Sequence, residues 1–292
     1  MTTSIRKIPA IKRFLVGDVA KRMVATGIVI LAFIIGLNVL APYLTPNKPT
    51  GARADGQLFR PFQEPSKDHI MGTNDIGLDI YTRVLYGGRV PLLVATFSTL
   101  FALLLGVPLG LLSGYLGGFL DKLISLIMDS LFAFPGLILA IAITAMIGPS
   151  ILNTAAAIAV IYVPVFFRVV RSQVLSIKEL LYVEAAKSIG ESTLSIVFRY
   201  ILPNTIPGIL VILSMGFADA ILIEAGLSFI GLSTVVPPDA SWGLDVAIGR
   251  NYLLSGSWWI ITFPGIMLIF ATLGFSLISE GLNDLMNPKL SE

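Results

Sequence analysis

Cysteine is absent from the 292 residues, and histidine occurs once, at His69. The first absence excludes disulfides, thiolate metal sites and thiol nucleophiles. The second excludes a two-histidine metal site or a metalloprotease helix within the chain. No Gly-x-x-x-x-Gly-Lys-[Ser/Thr] run occurs, so any ATP used in the protein's work is bound by another chain. Dense Lys/Arg runs with interleaved aromatics are also missing, and nucleic acid is not an expected partner. Charge is scarce as well: charged residues make up 13% of the chain, against roughly 25% in soluble domains.

Apolar sequence fills the space. Hydrophobic residues account for 55% and mean hydropathy is +0.86, which identifies an integral membrane protein. Spans of about 20 apolar residues are needed to cross the hydrocarbon, and about six stretches qualify: Met23 to Leu44, Leu92 to Tyr115, Leu123 to Ile147, Ser150 to Phe167, Thr205 to Ile223 and Trp259 to Ser279. None alternates apolar and polar residues, which argues against a transmembrane barrel. The expected fold class is therefore an all-α polytopic membrane protein, and no Ser-His-acid arrangement can be drawn inside its spans.

Arg6, Lys7, Lys12, Arg13, Lys21 and Arg22 precede the first span, whose apolar run is too long for a secretory signal. We read it as an uncleaved anchor with a cytoplasmic N-terminus. An even number of spans then puts the C-terminus on the same side. The resulting segments are 1–22, a cytoplasmic N-terminal stretch; 23–44, the anchor; 45–91, an extracytoplasmic connector; 92–280, a transmembrane core; and 281–292, a cytoplasmic tail. Between spans four and five the loop 168–204 carries Arg168, Arg171, Lys178, Lys187 and Arg199, whereas the segment between spans five and six carries Arg250 alone. The positive-inside bias makes the basic loop cytoplasmic.

Local signals subdivide these segments. Pro46, Pro49, Pro61 and Pro65 mark the connector as turns and irregular chain, and Gly72 and Gly77 permit tight turns near its end. In the basic loop, Ser176-Ile177-Lys178-Glu179 has the spacing of a capping box, which predicts a short helix starting there. Gly190 is placed to end it, Ser192 to cap a second short helix, and Pro203 to open the fifth span. Pro135, Pro164 and Pro264 are expected to bend spans. Ala102, Gly106 and Gly110 recur at four-residue spacing, which suits close helix packing. Asp129 and Asp219 fall inside spans and Glu224 near an outer boundary; acids there are costly and are candidates for a solute pathway or for buried pairing.

Glu184-Ala185-Ala186, Gly190 and Leu202-Pro203 together resemble the EAA loop of the membrane subunits of ATP-binding cassette importers. Tyr200 departs from that pattern, which usually has an aliphatic residue there. The chain is similar in particular to the second permease subunit of the oligopeptide/dipeptide/nickel group. That likeness rests on His69 through Asp79 with Arg83, Tyr86, Gly87 and Arg89, on Glu224 through Leu232, on Ser241-Trp242-Gly243, on Gly281 through Asp284 and on Asn287-Pro288. The resemblance implies a non-catalytic permease of the prokaryotic cell membrane that imports peptides or a similar small polar solute. It also implies partners: a related second permease subunit, two ATPase subunits that bind ATP and Mg, and an extracytoplasmic substrate-binding protein. Glu184, Ala185, Ala186, Gly190, Leu202 and Pro203 would then form the ATPase-coupling helix and its flank. Gly72, Thr73, Asp75, Asp79 and Trp242 become candidates for contact with the binding protein, the alternative being loops that pack on the bundle. The rival reading of the whole chain is an ion-coupled secondary transporter using its intramembrane acids.

Overall fold

The computed structural model describes residues 10–286; Arg6, Lys7, Asn287 and Pro288 lie outside them. Helices follow one another along the chain: α1 (Ala10–Leu44), α2 (Ile80–Gly87), α3 (Arg89–Leu116), α4 (Gly118–Phe132), α5 (Gly136–Ile147), α6 (Ile151–Ile177), α7 (Leu181–Ser188), α8 (Thr193–Ile196), α9 (Leu202–Phe229), α10 (Trp242–Gly249) and α11 (Trp259–Met286). Among the described residues there is no β-strand. Five helical runs are long and apolar enough to cross a membrane, and the count is six when the bent pair α4 and α5 is taken as one span.

The span expected over 123–147, with a bend at Pro135, is broken into two helices. α4 and α5 meet at 87°, because Pro135 offers no N–H and disfavours helical backbone at the residue before it. Other helices outrun their apolar stretches: α6 continues past Phe167 to Ile177, and α11 past Ser279 to Met286. Hydropathy marks only the part of a helix that lies in hydrocarbon, so polar turns beyond it escape that signal.

α3 and α6 run parallel in close contact. A methyl group at Gly106 would lie 2.6 Å from Cβ of Phe166, one at Gly110 2.9 Å from Cβ of Val170, and one at Gly114 2.8 Å from Cβ of Val174. The small-residue stripe therefore does what its spacing suggests and lets two backbones approach. α1 lies antiparallel along α11, burying Leu31 and Ile34 while Val29 and Phe33 stay exposed. Side chains that face outward this way suit a hydrocarbon solvent.

Two large apolar cores are stacked along the bundle, beside a small cluster of Ala41, Leu85 and Tyr86. One gathers Ile80, Val84, Trp242, Trp259 and Ile260 at the end where the connector, α2 and α10 meet. The other gathers Phe166, Phe167, Val174, Val183, Ile196 and Ile201 at the end that carries α7 and α8. We call these the connector end and the loop end.

Candidate functional site

At the loop end, α7 starts at Leu181 with no side-chain cap, which corrects the expected capping box. The preceding helix α6 runs through Ile177, so Ser176 is already helical and its hydroxyl donates to the Ser172 carbonyl (3.3 Å). The end of α7 follows the sequence reading. Gly190 takes φ +81°, its N–H donates to the Lys187 carbonyl (3.0 Å), and the Glu191 N–H reaches the Ala186 carbonyl (3.1 Å). This pair of bonds is a Schellman motif, which needs a residue free to adopt the left-handed region. Ser192 caps α8 by accepting from the Ser195 N–H (3.3 Å).

The two faces of α7 differ. Val183 and Ala186 are buried in the loop-end core, whereas Glu184 and Ala185 are exposed beside Leu181, which is 82% accessible. Ala186 thus serves the fit of α7 onto the bundle, and Ala185 alone of the two alanines lies on the open surface. Lys187 lies over the Tyr115 ring (5.4 Å) at the end of α3, and Lys178 donates to the Gly114 carbonyl (3.0 Å). A π-helical turn, Val197–Ile201, joins α8 to α9. Pro203, just beyond it and exposed, has no N–H to give the Arg199 carbonyl; the Asn204 amide meanwhile donates to the Tyr200 carbonyl (2.6 Å). Leu202 is part-buried against the same core.

At the connector end, Arg83 is fully buried. Its guanidinium donates to Asp245 (2.8 and 2.6 Å) and to the carbonyls of Thr50 (2.8 Å), Pro238 (2.7 Å) and Asp239 (3.0 Å). All five N–H donors are used, and four separate segments are tied together. Burial pushes the Asp245 carboxyl upward while the charge of Arg83 opposes that shift.

Most of the residues read as candidates for contact with a binding protein are structural here. Trp242 is wholly buried and donates from Nε1 to the Val84 carbonyl (2.8 Å). Thr73 donates to the Arg60 carbonyl (2.7 Å) and accepts from the Gln63 N–H (2.9 Å). Asp79 caps α2 through the Thr82 N–H (2.9 Å), and a Cβ at Gly72 would strike the Trp259 ring at 2.7 Å. None of these four side-chain positions is open to a partner, because each is consumed in packing the connector onto the bundle. Asp75 is part-exposed; it accepts from the Tyr252 hydroxyl (3.2 Å), and its negative charge, aided by burial, raises that phenol above its ordinary range. Ile70, Ile76, Val236 and Leu254 are among the exposed apolar side chains at this end.

The three intramembrane acids fall in three settings. Asp129 pairs with Arg168 (2.7 Å) on the surface of the bundle, and Arg168 lies over the Phe132 ring (3.9 Å). Glu224 is fully buried below α10, accepting from Ser228 (3.2 Å) and Thr234 (3.1 Å). Asp219 lines a cavity of about 450 Å³ with Tyr162, Phe132, Phe134 and Met215, next to the α4–α5 break. A second cavity of about 540 Å³, lined by Gln173, Asn204 and Asn283 among others, lies nearer the loop end and shares Ile212 with the first. Sequence reasoning missed Asp121, which accepts from Arg171 (2.6 and 2.7 Å) and from Ser113 and so ties α4 to α6 and α3. It also missed Asp245. Asp245 stood alone in an apolar neighbourhood and Asp121 beside Lys122, and neither had anything local to name its distant partner.

Comparison with known proteins assigns the family. The family described as binding-protein-dependent transport system inner membrane component matches residues 106–292. The chain is 40% identical over 271 residues to a putative peptide transport system permease protein of Brucella suis, covering 92% of this chain and 89% of that protein. It is 40% identical over 269 residues to a dipeptide transport system permease protein of Alkalihalophilus pseudofirmus, covering 92% and 86%. It is 37% identical over 279 residues to a glutathione transport system permease protein of Pectobacterium atrosepticum, covering 96% and 90%. With an all-α bundle of five to six apolar spans already described, these matches make the chain a member of the binding-protein-dependent inner membrane components, a multi-pass permease subunit of an ATP-binding cassette importer in the prokaryotic cell membrane.

Proposed function

We propose that this subunit forms, with a related second permease, the membrane pathway for small peptides released by an extracytoplasmic binding protein. The substrate class is argued from the relatives, whose names specify peptides, dipeptides and glutathione. In this reading the loop end faces the cytoplasm, where two ATPase subunits bind ATP and Mg and carry out hydrolysis; this chain supplies no catalytic residue and no cofactor site. The observation that carries the reading is the open face of α7, where Glu184 and Ala185 lie beside Leu181 with no side chain of the bundle over them. A small residue between an acid and an exposed leucine admits another surface closely and offers it one charge to hold. The inward face, Val183 and Ala186, transmits any displacement to the loop-end core and thence to α9.

The test is uptake and ATP hydrolysis by the complete complex in proteoliposomes. Glu184→Ala and Gly190→Ala are expected to lower uptake while hydrolysis persists. For the second, a residue with a Cβ forced into the left-handed region costs about 1–2 kcal/mol and reorients the end of α7. Normal coupled uptake by the doubly substituted complex would overturn the role.

A further inference from the structure

We propose that Asp219 is a binding group for the ammonium of an amine-bearing solute, held in the cavity at the α4–α5 break; this rests on the reading of the chain as a pathway-forming permease. Three other acids on the spanning helices have partners within the chain. Asp121 has Arg171, Asp129 has Arg168, and Glu224 has two hydroxyls. Among the described residues Asp219 meets the Tyr162 hydroxyl but has no cation within ion-pair distance, and it is the one charged residue in the cavity wall. A carboxylate at this depth is costly to place and by default marks a pathway or a partner. Its complement is a cation that arrives with the solute.

The wall chemistry selects which cation. Bare Ca²⁺ or Mg²⁺ takes about six or more oxygen ligands, and this cavity wall offers one carboxylate and the Tyr162 hydroxyl. An alkylammonium needs less: one acceptor for its charge, aromatic or apolar surface for its stem, and ring faces for cation–π attraction. Phe134, Tyr162, Ile161 and Met215 provide that surface, while Gly136 and Gly216 leave room between them. The volume of about 450 Å³ falls within the usual range of small-ligand pockets, about 300–1,000 Å³. A free α-amino group on a short peptide has the required form.

Because the chain lacks cysteine, Met215→Cys places one reporter thiol in the cavity wall. The experiment is maleimide labelling of that thiol in the assembled complex, competed with butylammonium and with its neutral analogue butanol. Butylammonium is expected to slow labelling at concentrations where butanol does not. With Asp219→Asn added, the concentration that halves labelling should rise about ten- to a hundredfold, the range for a hydrogen bond to a charged group. Asp219→Glu should retain protection, and Asp219→Ser replaces the asparagine variant if that one fails to assemble. Equal protection by butanol, or protection unchanged on loss of the carboxylate, overturns the ammonium site while leaving the pathway standing. A thiol at position 215 that never labels in any nucleotide state overturns the pathway reading at this cavity, and the inference falls with it.

Discussion

All five N–H donors of Arg83 are matched, and its charge is met by one carboxylate that is equally buried. Removing one member of such a pair leaves the other charged and stranded. Arg83→Met is expected to destabilise the subunit by about 3–5 kcal/mol, read as a lower thermal midpoint of the detergent-solubilised complex. Arg83→Lys keeps the charge without the planar fork and should fall between that variant and the parent. Combining Arg83→Met with Asp245→Leu should recover part of the loss, since neither charge is then left alone. Midpoints that simply add would show that the pair is not coupled. Arg83 stood out in the sequence among the residues that carry the family resemblance, but Asp245, 162 residues away, carried no local sign of the bond. Trp242 misled in the same way: a tryptophan in a predicted external loop reads as a contact residue, and only the fold reveals that α2 covers it.

Among the longer helices, α4 buries the fewest side chains. Met128 is its one buried side chain, and two ion pairs fasten it to α6. The pairs are unequal. Asp121 receives two bonds from Arg171 plus one from Ser113 in a part-buried position, whereas Asp129 and Arg168 meet in the open. Bidentate, partly buried pairs contribute more than exposed single ones. Asp121→Asn should therefore speed amide hydrogen exchange across 118–132 clearly more than Asp129→Asn does. The reverse order would place the anchor at Asp129. Legibility at this scale followed the range of each signal. Gly190 and Ser192 were read correctly because their hydrogen bonds close within a few residues. Ser176 and Glu179 failed because a capping box has the same spacing as a helix that has not yet ended. Pro135 was noted as a bend, but an apolar run of sufficient length hid the full break between α4 and α5.

For the whole molecule, the parallel course of α3 and α6 and the antiparallel pairing of α1 with α11 put the connector and α7 at opposite ends. Hydropathy and charge bias together anticipated this much, since both depend on the bilayer rather than on tertiary detail. If the loop end is cytoplasmic, Ile76→Cys should label with an impermeant maleimide on intact spheroplasts and Ala185→Cys only after permeabilisation. Labelling in the opposite order would invert the topology. The helical run from Thr193 through the π turn to Phe229 covers 37 residues, a shaft of about 55 Å at 1.5 Å per residue. A tilt of about 10° at its foot would sweep its far end through about 10 Å over such a length. Glu224, near that far end, accepts from Ser228 on its own helix and from Thr234 in the next loop, so a small stroke delivered at α8 would be geared up into a larger displacement at the connector end.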